Sequence, residues 1–122
     1  MATILVLDDV LDAVTLLKRI LEKKGHQVFD FTEEEEAIGH IRVNKVDLAI
    51  LDIKLRKISG VEVLAEIKKI DPHIGVIMLT GYPTLESARE SLSLGASEYC
   101  VKPIDKDEIE EKVAKVLRAL AR

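Results

Sequence analysis

Five short apolar runs punctuate this chain, and stretches with helical periodicity fill every gap between them. The runs are Ile4–Leu7, Gln27–Phe31, Leu48–Leu51, Val76–Leu79 and Tyr99–Val101. Three of them are continuously apolar instead of alternating. A strand with one wet face alternates, so a continuous run marks a strand covered on both faces. Strict strand–helix alternation predicts a parallel sheet with helices on both sides.

The helical stretches carry their own start and stop signals. Val10, Val14, Leu17 and Leu21 share one face, and Gly25 supplies a stop. Thr32 with Glu35, Ser59 with Glu62 and Asp105 with Glu108 have capping-box spacing. The stripes that follow are Ala37, Ile38 and Ile41, then Val63, Leu64 and Ile67, and last Ile109, Val113, Val116, Leu117 and Leu120. Pro83-Thr84 opens a helix carrying Leu85, Ala88 and Leu92, which Gly95 stops. With 122 residues the chain fits one domain, expected over residues 1–122, with no room for a second.

Composition narrows the function classes. Hydrophobic residues make up 48% and charged residues 33%, the balance of a soluble globular chain. No apolar run approaches membrane-spanning length, and the start lacks a signal peptide, so a cytoplasmic address is the default. The single cysteine, Cys100, excludes an internal disulfide and a cysteine-based metal cluster. A net charge of −4 argues against direct nucleic-acid binding.

Ligands of open parallel sheets bind beyond the carboxyl ends of the strands. There the sequence places Asp8-Asp9 after the first run, Asp52 after the third, Thr80-Gly81 after the fourth and Lys102-Pro103 after the fifth. Adjacent acids repel, and a hard divalent cation offsets that repulsion. Oxygen-only ligands suit Mg²⁺, which shares its shell readily with a phosphate. A Thr hydroxyl and a Lys ammonium suit the phosphoryl oxygens beyond the metal. Singly, each residue has a plainer role: an Asp as helix cap, Thr80 in a turn, Lys102 in solvent. Together they are harder to explain that way. No glycine-rich nucleotide loop follows the first run, and its acids are adjacent instead of spaced as in haloacid-dehalogenase phosphatases. His26, His40 and His73 read as surface residues without chemistry.

The residues that carry a resemblance are Asp8-Asp9, "LAILDIKLRKISGVEVL" around Asp52 and "VIMLTGYPTLESARESLSLGASEYCVKPID" from Val76 to Asp105. Across the whole chain they resemble the receiver domain of two-component response regulators. The resemblance implies a flavodoxin-like, doubly wound α/β fold: a five-stranded parallel sheet of order 2-1-3-4-5 with five helices. It implies a phosphoacceptor at Asp52, fed by a histidine kinase or phosphotransfer protein in a Mg²⁺-dependent reaction. The chain would catalyse its own phosphoryl transfer and dephosphorylation without being an enzyme in the ordinary sense. Asp9 would ligate Mg²⁺ directly, Asp8 through water, with Asp52 and the Lys54 carbonyl completing the protein's share. Lys102, before a cis proline, would pair with Asp52 and then with the phosphoryl group. Thr80 and Tyr99 would form the switch. Output would pass to an effector domain or a homodimer through the face of the fourth helix, fifth strand and fifth helix.

One stretch departs from the family pattern: Leu55-Arg56 stand where Met-Pro is usual. Losing that proline loosens a turn beside the metal site. Lys54 and Tyr82 are expected to modulate the reaction, the Lys54 ammonium by reaching Asp9 and Asp52 across the pocket mouth. Two other classes compete: a pseudo-receiver that binds without phosphorylation, and a hydrolase with Asp52 as nucleophile. The first leaves five filled chemical positions unused. The second lacks an extra base and a substrate pocket.

Overall fold

The computed structural model describes residues 1–121. Strands and helices alternate from end to end: β1 (Thr3–Leu7), α1 (Leu11–Lys23), β2 (Gln27–Phe31), α2 (Glu34–Val43), β3 (Leu48–Leu51), α3 (Gly60–Ile70), β4 (Gly75–Thr80), α4 (Leu85–Ser93), β5 (Glu98–Val101) and α5 (Lys106–Leu120). The five strands form one sheet in the order β2-β1-β3-β4-β5. Every neighbouring pair is parallel.

The period of two along a strand explains the continuous apolar runs. Ile4, Val6, Ile50, Ile77 and Leu79 point to one face, where Val14, Leu17 and Leu21 of α1 and Ile109, Val113 and Val116 of α5 cover them. Leu5, Leu7, Ala49, Leu51, Val76 and Met78 point to the other, under Ala37, Ile38 and Ile41 of α2 and Val63, Leu64 and Ile67 of α3. Each buried Leu or Ile is worth about 1.5–3 kcal/mol, so these two layers hold the sheet in place. Gly25 and Gly95 follow α1 and α4 with φ of 89° and 102°, which gives the two helices their stops.

Several local expectations need correction. Thr32 does not cap α2. The helix begins at Glu34, and its N-cap Glu33 makes no side-chain cap bond. The reason is that β2 stays paired with β1 as far as Phe31, so the chain turns only afterwards. Ser59, Thr84 and Asp105 do cap α3, α4 and α5, accepting from the N–H of Glu62, Ser87 and Glu108. Val10 is the exposed N-cap of α1, outside its buried stripe. Leu85 and Leu92 of α4 are 69% and 56% exposed, and Leu120 of α5 is exposed too. α4 lies over the sheet's edge, and Ser91 is its one buried residue among those described.

Two of the three histidines are not free on the surface. The His26 Nδ1 accepts from the Ala2 N–H at 3.1 Å. The His40 ring packs against Phe29 and Phe31, with centroids 4.6 and 5.3 Å away. His73 is exposed as expected.

Gly60 opens α3 directly against the chain that leaves β3. A Cβ there would overlap the Asp52 carbonyl oxygen and crowd Ile53 Cα, both backbone atoms. Gly39, inside α2, has open space around it. Gly60→Ala should therefore lower unfolding stability by about 1–3 kcal/mol through overpacking. Gly39→Ala should raise it by about 0.5–1 kcal/mol by restricting the unfolded chain. Urea melts of both variants test this, and equal effects would mean that Gly60 is not packed as described.

Candidate functional site

The carboxyl ends of β1, β3, β4 and β5 meet at one edge of the sheet, where backbone bonds stitch them together. The Asp8 N–H donates to Phe31 O (3.1 Å), the Asp52 N–H to Leu7 O (2.9 Å) and the Lys102 N–H to Thr80 O (2.8 Å). These bonds carry Asp8, Asp9, Asp52, Thr80 and Lys102 into one neighbourhood. Carboxylate oxygens of Asp8, Asp9 and Asp52 lie within 4.8 Å of one another. A cavity of about 380 Å³ opens above them, lined by Asp9, Val10, Asp52, Lys54, Leu55, Gly81, Tyr82 and Lys102.

The three acids are not equivalent. Asp8 is 2% exposed, and both of its oxygens are engaged. Oδ1 accepts from the Val10 N–H at 2.9 Å, and Oδ2 accepts from Lys102 Nζ at 2.6 Å. Asp8 is thus not a helix cap: α1 has Val10 at its N-cap, and the Asp8 bond to Val10 only closes the turn before it. Asp9 is half-buried and lines the cavity. Asp52 is 6% exposed and lies 3.7 Å from Lys102 Nζ. Lys102 therefore pairs with both acids, and more closely with Asp8 than the resemblance implied. A lone ammonium among three carboxylates settles where the negative potential is deepest, and Asp8 is the most enclosed of the three.

Burial and then the neighbouring charge of Asp8 push the Asp52 carboxyl up to about 6; Lys102 opposes the shift, Asp9 adds to it, and a hydrogen bond from the Lys54 backbone reduces it. Burial pulls the Lys102 ammonium down, but its hydrogen bond to Asp8 and the charges of Asp8 and Asp52 outweigh that, so the net shift is upward. The Lys102–Pro103 peptide is cis.

Thr80 is buried at the back of the site, with its Oγ1 accepting from the Tyr82 N–H at 3.0 Å. Tyr99 is half-buried, and its hydroxyl lies 2.7 Å from that of Ser87 on α4. Sequence reasoning missed Ser87, because a serine on a polar helix face carries no signal of a tertiary partner. The Lys54 side chain takes another course than the expected reach across the pocket mouth. Its ammonium forms no ion pair with Asp9 or Asp52 and lies over the Tyr82 ring, 4.3 Å from the centroid. At an exposed position a cation–π contact keeps the ammonium in water, whereas reaching into the pocket would strip that water away.

Residues 4–114 match the family described as the response regulator receiver domain. The chain belongs to that family. The receiver is 37% identical over 114 residues to sporulation initiation phosphotransferase F of Bacillus subtilis (strain 168), covering 93% of this chain and 92% of that protein. It superimposes with a TM-score of 0.96 on a CheY-like response regulator receiver domain protein from Methanospirillum hungatei JF-1, at 33% identity, covering 99% of this chain and 97% of that one. It also matches the response regulator TrrA of Thermotoga maritima, solved in complex with Mg²⁺-BeF, with a TM-score of 0.86 and 39% identity over 95% of this chain and 99% of that one. Other relatives are transcriptional regulatory proteins, and the receiver spans 26–48% of their length. Among the described residues no helix is long and apolar enough to cross a membrane.

The raised Asp52 carboxyl has a consequence for stability. Above pH 6 its charge is held in an unfavourable place, and the cost disappears as pH falls toward the unfolded value near 4. Without metal, the receiver should lose stability through this group as pH rises from 4 to 6 and then level off. In chelator, Asp52→Asn should be more stable than the parent by roughly 2–3 kcal/mol at pH 8 and by little at pH 4. Denaturant melts at the two pH values check this, and a gain independent of pH would point to a cause other than charge.

Proposed function

We propose that this receiver is a cytoplasmic phosphoacceptor, taking a phosphoryl group from a histidine kinase or phosphotransfer protein onto Asp52 and switching an output surface. The observation that carries this reading is the Asp8–Asp9–Asp52 trio, gathered within 4.8 Å and bridged by Lys102, in a chain of the receiver family. The pseudo-receiver alternative would leave Asp8, Asp9, Asp52, Thr80 and Lys102 without a use, and no described residue of the pocket favours it.

The donor set fits Mg²⁺: it is all oxygen and anionic, with Asp9 half-buried at the cavity. Asp8, Asp9, Asp52 and the Lys54 carbonyl would hold the ion. Bound there, Mg²⁺ would supply positive charge toward the phosphoryl oxygens. The protein's own groups do the rest. An Asp52 oxygen attacks phosphorus in line, an O–P bond forms, and the P–N bond to the donor imidazole breaks. The transition state is loose and needs positioning and charge more than covalent help. Lys102 lies close enough to both acids to pass from them to the phosphoryl oxygens. The Thr80 hydroxyl then leaves the Tyr82 N–H for the same oxygens, and Tyr99 turns inward from Ser87. That movement would reshape the face of α4, β5 and α5, where Leu85, Leu92 and Val101 stand exposed. An effector domain or a second copy would read the change as a shift between two populations.

Acetyl phosphate with Mg²⁺ should add one phosphoryl group, visible by intact mass, and Asp52→Asn should abolish it. Equal labelling of the variant would sink Asp52 as the acceptor. Asp9 lines the cavity, whereas both Asp8 oxygens are already engaged. Asp9→Asn should therefore weaken Mg²⁺ binding in calorimetric titration more than Asp8→Asn does. The opposite ranking would exchange their roles.

A further inference from the structure

Four consecutive glutamates, Glu33–Glu36, stand at the entrance to α2, and only one of them is buried. Glu34 is 2% exposed, while Glu35 and Glu36 face solvent. An acid in the first turn of a helix complements the dipole without being buried, so the dipole does not explain Glu34. Its carboxylate instead crosses to the loop between β3 and α3. One oxygen, Oε2, accepts from both the Lys57 N–H (2.7 Å) and the Ile58 N–H (3.1 Å). The other, Oε1, is buried with no partner. Burying an unpaired carboxylate oxygen is costly, and the two charge-assisted bonds offset that cost.

The loop so held is the wall of the acidic pocket. It leaves β3 at Asp52, carries Lys54 and Leu55 along the cavity, and enters α3 at Gly60. Ile53, Leu55 and Ile58 pack partly against the second apolar layer, and the loop's other backbone bonds are the Leu55 and Gly60 N–H groups donating to Ile53 O, at 3.2 and 2.7 Å. None of the chain's three prolines lies in it, so no ring stiffens the backbone between these anchors.

We propose that Glu34 is a positioning residue for the phosphoacceptor site: by clamping the Lys57 and Ile58 amides from α2, it fixes the segment that presents the Lys54 carbonyl and Leu55 beside Asp52. It touches neither the metal site nor the phosphoryl group and acts through the loop. This inference rests on the Mg²⁺-dependent acceptor reading and adds to it a residue on another helix.

The test compares the parent with Glu34→Ala, Glu34→Gln, Glu34→Asp and Ile38→Ala, the last a packing control in the same helix. The readouts are Mg²⁺ affinity by calorimetry, the initial rate of labelling by acetyl phosphate, and amide exchange at Lys57 and Ile58. Glu34→Ala should weaken Mg²⁺ binding about tenfold, in the range for residues that support a ligand from behind, with slower labelling and faster exchange at both amides. Glu34→Gln keeps one oxygen in reach of both amides and should behave like the parent. Glu34→Asp keeps the charge but is one methylene short, and should lose as much as the alanine. Ile38→Ala should lower stability while leaving Mg²⁺ affinity close to the parent's. Should Glu34→Ala not fold, the contrast between Gln and Asp decides. Parent-like Mg²⁺ affinity and labelling in Glu34→Asp would overturn the proposal. So would an equal loss in Ile38→Ala, which would assign the effect to helix packing. A parent that neither binds Mg²⁺ nor takes label would overturn the acceptor reading and this inference with it, a result distinct from loss confined to the variants.

Discussion

Lys102 Nζ lies 2.6 Å from Asp8 and 3.7 Å from Asp52, and it is the only cation paired with this acidic cluster among the described residues. Remove that ammonium and three carboxylates confront one another at the buried ends of two central strands. At such separations, repulsion in a partly desolvated site reaches several kcal/mol. The ammonium makes the cluster tolerable without fully neutralising it, and burial first, then the Asp8 charge, still push the Asp52 carboxyl up to about 6. The receiver thus folds with unbalanced negative charge at its edge. A divalent cation is the species such an edge favours.

The rest of the molecule keeps that edge in place. Two apolar layers, one on each face of the sheet, fix the strands in register. Backbone bonds from Asp8, Asp52 and Lys102 to the neighbouring strand ends then set where each functional side chain starts. Gly60 lets α3 begin hard against the Asp52 carbonyl, so the Asp52 backbone is enclosed from behind. The loop that follows Asp52 packs Ile53, Leu55 and Ile58 only partly against the second layer, and a carboxylate from α2 holds its backbone between them.

Short polar contacts hold both the segment after β4 and the start of α4. Thr80 holds the Tyr82 N–H, and the Tyr99 hydroxyl meets Ser87 on α4. α4 buries little, so its position depends more on such bonds than on apolar packing, and elements of this kind move first.

The strand–helix alternation, the doubly covered sheet and the gathering of Asp8, Asp9, Asp52, Thr80 and Lys102 were legible from residue order alone. Periodicity and strand ends are local properties, and parallel topology brings those ends to one edge. Which acid Lys102 prefers was not legible, because the choice depends on a potential summed over groups that meet across 94 residues of chain. Nor was the direction of Lys54, whose ammonium weighs an aromatic face against desolvation in the pocket. The exposure of Leu85 and Leu92 was hidden because their spacing is that of a buried stripe, and only the placement of α4 at the sheet's edge leaves them uncovered. Glu34 is the sharpest case. Four identical residues in a row carry no mark that separates them. The one that turns inward is chosen by where β2 releases the chain and by which loop then lies within reach of α2's first turn.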